Sequence, residues 1–348
     1  MCTQKTNPKS DSFNANSIIF YPDLNTVVLE VFLLVLGFAL VIKGADWFVE
    51  AASAVARKYH ISDLAIGLTV VAFGTSAPEL AVSLFAAIQG HQEIVFGNMI
   101  GSNNFNLFII LGITGLIIPL TVQSSTVWKE IPVSLLGAAL LLFMANDFWG
   151  KVNPTLSRWD GAFLLVGFGA FMFYVYKQLN AEPQEPDITA KKRSTAWIWF
   201  FGIIGLLMLV GGGKIVVDKA TAIAHRFDVS EALIGLTIVA AGTSLPELAT
   251  SVMAAIKKKA DIAVGNIIGS NIFNIFLILG ISSVIKPIGY NPALNTDIFI
   301  LMGGSALLFI FMFSGKKRKL DRLEAAILLL IFIGYSIFLV VREVGSLT

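Results

Sequence analysis

The sequence predicts an all-α integral membrane protein with ten transmembrane helices in two inverted-topology five-helix repeats. The first observation behind this is composition. Of 348 residues, 56% are apolar and 14% are charged, against roughly 25% charged in soluble domains, and the mean hydropathy is +0.78. The second is ten apolar runs, each near or above the length that crosses about 30 Å of hydrocarbon. The third is a duplication: residues 61–112 recur without a gap at 229–280, and about 60% of the paired positions are identical, far above what shared apolar composition produces. Five runs separate a position from its copy, and an odd number of crossings inverts the second copy in the bilayer.

Residues 1–25 are polar and lack an apolar core with a small-residue cleavage site, so they read as a tail and not as a cleavable signal. The runs follow at 26–49, 64–89, 94–118, 131–146 and 159–176, then at 196–213, 232–256, 261–285, 298–314 and 322–342. Those at 131–146 and 298–314 are the shortest. The first repeat therefore occupies 26–176 and the second 196–342, joined at 177–195 by a polar segment that reads as a mobile cytoplasmic linker. Segments after odd-numbered runs hold most of the cations, among them Arg57, Lys58, Lys191, Lys192, Arg193, Lys257, Lys258 and Lys259. The positive-inside rule then places both termini outside the cytoplasm. The single cysteine, Cys2, excludes an internal disulfide.

Ser62-Asp63 and Ser230-Glu231 open the second and seventh runs with a hydroxyl followed by an acid, the signature of helix caps. Glu50 and Asp218 occupy repeat-related places near the ends of the first and sixth runs and read as interfacial charges. Lys257–Lys259 read as a solvated loop that anchors topology. His60, His91 and His225 are scattered at helix ends, do not recur between repeats, and do not read as metal ligands.

The chemistry concentrates in two pairs of motifs. GTSAPEL at 74–80 and GTSLPEL at 242–248 fall in the middle of apolar runs. Pro78 has no N–H for the carbonyl of Gly74, and Pro246 none for Gly242, so each helix is expected to kink and expose carbonyl oxygens. Glu79 and Glu247 follow directly. A carboxylate at mid-membrane costs about 2.5–3.5 kcal/mol on insertion scales, and neither run offers a lysine or arginine to pair with it. Protons or bound metal cations remain as compensation. GNMIGSNNFN at 97–106 and GNIIGSNIFN at 265–274 add neutral oxygens, with Ser102 and Asn106 on one helix face and Ser270 and Asn274 repeating the spacing. Gly97, Gly101, Gly265 and Gly269 suit close helix packing. Oxygen donors without thiol or imidazole favour calcium, sodium, magnesium or a proton and disfavour zinc and copper. Calcium accepts irregular sets of about 6–8 oxygens, whereas magnesium keeps its waters and suits a dry midplane site less well.

Paired GTSxPE and GNxxGSNxxN segments in an inverted ten-helix chain resemble the calcium/cation antiporter superfamily, and within it the prokaryotic sodium/calcium exchangers. The resemblance implies four cation positions between helices 2, 3, 7 and 8. Calcium would be held by Glu79 and Glu247 and by the carbonyls of Thr75 and Thr243, and sodium by Ser76, Ser102, Ser244 and Ser270 with the carbonyls of Ala72 and Ala240. Asn106 and Asn274 would line the centre, and helices 1 and 6 would slide across the core in alternating access. Exchangers of this kind often carry aspartate where Asn274 stands, so this chain has two inner negative charges instead of three. One calcium, two sodium ions or two protons would neutralise them. The expected activity is antiport of Ca2+ for Na+, with Ca2+/H+ antiport as the alternative and a cation channel less favoured. No enzymatic activity, cofactor, nucleic acid or obligate protein partner is expected, and the lipid bilayer is the surrounding medium. Ser76 or Ser244 as a nucleophile would need a base, and no histidine lies in these runs.

Overall fold

The computed structural model describes residues 24–146, 154–179, 193–226, 240–314 and 318–346. Outside the described residues lie residues 1–23 of the tail, residues 180–192 of the linker, and residues 227–239, which contain the expected cap Ser230-Glu231 and about the first third of the seventh apolar run. The helices are α1 (Leu24–Tyr59), α2 (Asp63–Thr75 and Ala77–Gln89), α3 (Gln92–Ile117), α4 (Thr126–Ala145) and α5 (Arg158–Gln178). They continue as α6 (Thr195–Arg226), α7 (Ala240–Thr243 and Leu245–Ile256), α8 (Ala260–Ile285), α9 (Pro292–Phe311) and α10 (Arg322–Ser346). Eight of these are long and apolar enough to cross a bilayer, or nine when the two parts of α2 count as one span; the described part of α7 is shorter. Among the described residues the fold is all-helical apart from two two-residue ladders, β1 (Leu120–Thr121) with β4 (Lys319–Leu320) and β2 (Thr155–Leu156) with β3 (Ile288–Gly289).

α3 and α8 sit at the centre, and the two halves interleave around them. The C-terminal part of α3 packs on α10, the C-terminal part of α8 packs on α5, and α4 packs on α9. α1 and α6 pair with each other more extensively than any other two elements. Their backbones meet at two glycine pairs. A Cβ on Gly44 would lie 2.7 Å from the Gly205 carbonyl oxygen, and one on Gly212 would lie 2.9 Å from that of Gly37. Any side chain there would force the helices apart.

Both of these helices run well past the ends at 49 and 213 expected from hydropathy. Hydropathy registers only the stretch that suits hydrocarbon, whereas the hydrogen-bonded helix continues into polar surroundings. At about 1.5 Å per residue such helices exceed the hydrocarbon thickness and must tilt or project. α1 ends on His60 in the left-handed conformation (φ 55°). α4 and α9 likewise begin earlier than 131 and 298, which brings both short runs to spanning length.

Two surface readings are corrected. Glu50 is not at a helix end but within α1, where it is salt-bridged to Arg193, whose guanidinium lies 4.0 Å from the Trp197 ring centre. The lysines at 257–259 are not merely solvated: Lys257 pairs with Asp46 at 2.7 Å and Lys259 with Asp63 at 2.9 Å. Asp46 within α1 and Asp63 at the start of α2 attract these cations, which sequence spacing could not reveal. Ser62 caps α2 as expected, accepting from the Ala65 N–H at 3.2 Å.

Candidate cation site

α2 bends by 49° at Ser76, two residues before Pro78. Ser76 (φ −81°, ψ 7°) and Ser244 (φ −89°, ψ 7°) leave helical geometry in the same way, and each proline falls in the first turn of the restarted helix. The missing proline N–H is harmless there, which is why the break precedes the proline. Backbone bonds still bridge both breaks, from Ser76 N to Ala72 O, Leu80 N to Ser76 O and Leu248 N to Ser244 O, each at 3.0 Å. Glu79 and Glu247 thus lie in the first turns of restarted helices, where unpaired N–H groups and the helix dipole favour a negative charge.

Both carboxylates are buried, each 1% exposed. Each is held by the serine of the opposite break: Ser76 Oγ donates to Glu247 Oε1 at 2.9 Å, and Ser244 Oγ to Glu79 Oε1 at 3.3 Å. Ser76 Oγ also lies 3.0 Å from Ser270 Oγ. Among the described residues no lysine or arginine pairs with either glutamate, and no group of three or more His, Cys, Asp or Glu side chains gathers as a metal centre. Glu79 Oε2, Glu247 Oε2, Ser102 Oγ, Asn106 Oδ1 and Asn274 Oδ1 are buried without a hydrogen-bond partner. An orphaned buried oxygen costs about 1–3 kcal/mol, and more when charged. Five on the four motif segments make an oxygen-only set suited to hard cations.

The remaining expected residues fall as follows. Thr75 Oγ1 reaches Asn266 Oδ1 at 3.0 Å and the Val71 carbonyl at 3.1 Å, and Thr243 Oγ1 reaches Asn98 Oδ1 at 3.4 Å. Their side chains therefore serve the scaffold. The Ala72 carbonyl takes the Ser76 N–H at 3.0 Å and lies 3.4 Å from Thr75 Oγ1, and Ala240 opens the short helix before the Ser244 break. Ser102 and Asn106 lie on α3, Ser270 and Asn274 on α8. A wide π-type turn begins at Phe105 and again at Phe273, immediately before each asparagine. Such turns rotate side chains out of α-helical register and are frequent at functional sites.

Sequence reasoning passed over Asn98, Asn266, Ser83 and Ser251. Asn266 donates to Ser251 Oγ at 2.9 Å and to the Glu247 carbonyl at 3.4 Å, and Asn98 does the same to Ser83 Oγ and the Glu79 carbonyl at 3.0 and 3.5 Å. Each asparagine thus ties one glutamate's turn to the threonine of the other break. The available signal was their identity between the repeats. Of the motif glycines, Gly265 and Gly269 lie against Leu64, Gly67 and Leu68 at backbone distance, as expected. The repeat-related neighbours of Gly97 and Gly101 would be residues 232–239, outside the described residues.

The pattern of the sodium/calcium exchanger protein family matches this chain twice, over residues 29–177 and 197–341. The chain belongs to the sodium/calcium exchanger family. Among its relatives, the putative antiporter CaxA of Alkalimonas amylolytica is 40% identical over 327 residues, covering 90% of this chain and 99% of the relative. The sodium/calcium exchanger MaX1 of Methanosarcina acetivorans is 30% identical over 349 residues, covering 90% and 99%. A structure of the sodium-calcium exchanger NCX_Mj soaked with 10 mM Na+ and zero Ca2+ superposes with a TM-score of 0.76 at 33% identity, covering 88% of this chain and 97% of that one. This exchanger-family chain is accordingly a transmembrane protein of an antiporter family whose members are transporters.

Proposed function

We propose that this protein exchanges Ca2+ for Na+ by alternating access at a midplane site between α2, α3, α7 and α8, in a chain of ten spans built as two inverted repeats. The observation that carries this reading is the reciprocal pair of buried glutamates, each bonded by the other half's serine and each retaining an unpartnered oxygen. Calcium is held by Glu79 and Glu247 with the carbonyls of Thr75 and Thr243. Sodium ions use Ser76, Ser102, Ser244 and Ser270 with the Ala72 and Ala240 carbonyls, and Asn106 and Asn274 line the centre. Two carboxylates match one Ca2+ or two Na+ in charge. Inversion is supported by the odd number of apolar runs between repeat-related positions and by the reciprocity of the cross-half bonds. Both termini are assigned outside the cytoplasm of a prokaryotic inner or plasma membrane. Cys2, the only cysteine, tests this directly: an impermeant maleimide should label it in intact spheroplasts, and protection until lysis would reverse the orientation.

The functional test is calcium flux in proteoliposomes driven in turn by a sodium gradient, a pH gradient and neither. Sodium-driven flux is expected. Because Asn106 and Asn274 are both neutral, two protons also balance the site, and pH-driven flux without sodium dependence would move the protein to Ca2+/H+ antiport. Flux without any counter-ion gradient would instead support a channel.

A further inference from the structure

The side chains of Asn103 and Asn271 appear in no step above, yet they close a ring between α3 and α8. Asn103 Nδ2 donates to the backbone carbonyl of Asn271 at 3.3 Å, and Asn271 Nδ2 donates to that of Asn103 at 3.4 Å. Asn274 Nδ2 then donates to Asn103 Oδ1 at 2.9 Å, and Asn106 Nδ2 to Asn271 Oδ1 at 3.1 Å. All four side chains are buried.

Hydrogen-bond logic settles which end of each amide faces where. A backbone carbonyl only accepts, so the group of Asn103 that meets the Asn271 carbonyl must be its NH2. The other end of the Asn103 amide is then oxygen, which also only accepts. The end of Asn274 facing it must therefore be NH2, and the Asn274 oxygen is turned away. That oxygen, Asn274 Oδ1, is buried and unpartnered, as is Asn106 Oδ1 in the reciprocal arrangement. An asparagine carries an acceptor and a donor of nearly equal shape, and a reversed amide would aim N–H hydrogens at a cation.

We infer that Asn103 and Asn271 are positioning residues that set the amide polarity of Asn274 and Asn106, so that both present oxygen and not nitrogen to the transported cation. This rests on the exchanger reading of the site. It explains how neutral side chains at both central positions serve as oxygen ligands in a chain with only two inner carboxylates. The ring is anchored on backbone carbonyls, so polarity is dictated by the fold and not by the ion.

The test is a double-mutant cycle on calcium half-saturation in reconstituted flux, with cation-induced melting shifts as a second readout. Asn103→Leu should weaken calcium by roughly tenfold, the scale of one misplaced hydrogen-bonding group, with a smaller change in maximal rate. In the Asn274→Asp background the same substitution should carry no penalty, because a carboxylate has oxygen at both ends and no polarity to set. An equal penalty in both backgrounds, or none in either, overturns the inference and leaves Asn103 a packing residue. Asn271→Leu with Asn106→Asp is the repeat-related copy, and it decides the matter if Asn103→Leu does not yield monodisperse protein. A wild type that binds neither Ca2+ nor Na+ overturns the exchanger reading along with this one, whereas a normal wild type with a failed cycle overturns this one alone.

Discussion

Two helix pairs each join the halves of this molecule, and they do so by opposite means. α3 and α8 are the enclosed pair, with 67% and 83% of their apolar windows buried, whereas for α1 and α6 the figures are 17% and 28%. The inner pair is tied by side-chain amides that donate to amide and backbone oxygens, bonds whose geometry is directional. The outer pair meets through bare backbone at Gly37, Gly44, Gly205 and Gly212. Where it touches α2 the neighbours are apolar: a Cβ on Gly74 would meet Phe48 and Leu206. Its ion pairs are peripheral and partly exposed, as between Asp46 and Lys257 or Arg226 and Glu30. Directional bonds specify one arrangement, and apolar contact tolerates displacement. In the alternating access proposed above, the inner pair would hold the site fixed and the outer pair would shift as a unit across it.

Substitutions that strike one pair and spare the other would break or sharpen this contrast. The largest effect is expected from Glu79→Gln or Glu247→Gln, which leaves the helices intact but removes half the compensating charge. Uncompensated buried charge costs about 3–5 kcal/mol, so calcium flux should fall more than about 100-fold while the purified protein stays monodisperse. Full activity in both variants would remove the site from these glutamates.

Gly44→Ala should act on the outer pair alone. Its Cβ would overlap the Gly205 carbonyl, and overpacking of this kind costs about 1–3 kcal/mol. The maximal flux rate should drop roughly tenfold with half-saturation unchanged. A change in half-saturation comparable to that of the inner-site variants would show that the two regions are not separable.

The smallest effect is expected from Asp46→Asn. Asp46 bonds Lys43 and Lys257, each at 2.7 Å, but is 29% exposed at its side chain. Partly exposed pairs contribute no more than about 1 kcal/mol, so flux should stay within roughly twofold and melting should change by a few degrees at most. A large loss would make this pair a latch between α1 and α7.

The amino-acid sequence on its own determined the membrane class, the duplication and the proline breaks, and it singled out the oxygen-bearing residues of the candidate site. These are readable because hydrocarbon demands long apolar runs, because proline removes a donor wherever it stands, and because a lone glutamate inside the second and the seventh apolar run needs compensation. The residues it singled out do assemble: Ser76 meets Glu247 and Ser270, and Ser244 meets Glu79. Local periodicity could not mark where α1 and α6 end, because hydropathy stops at the edge of the apolar stretch while backbone hydrogen bonding does not. Nor could it show that Lys257 and Lys259 are paired, since their carboxylates come from distant helices. The roles of Asn98, Asn266, Asn103 and Asn271 belonged to tertiary structure alone. An asparagine's donor and acceptor are fixed by the groups that packing brings against it: those of Asn103 and Asn271 lie across the boundary between the two halves, whereas Asn98 and Asn266 donate within their own half and meet the threonine of the other.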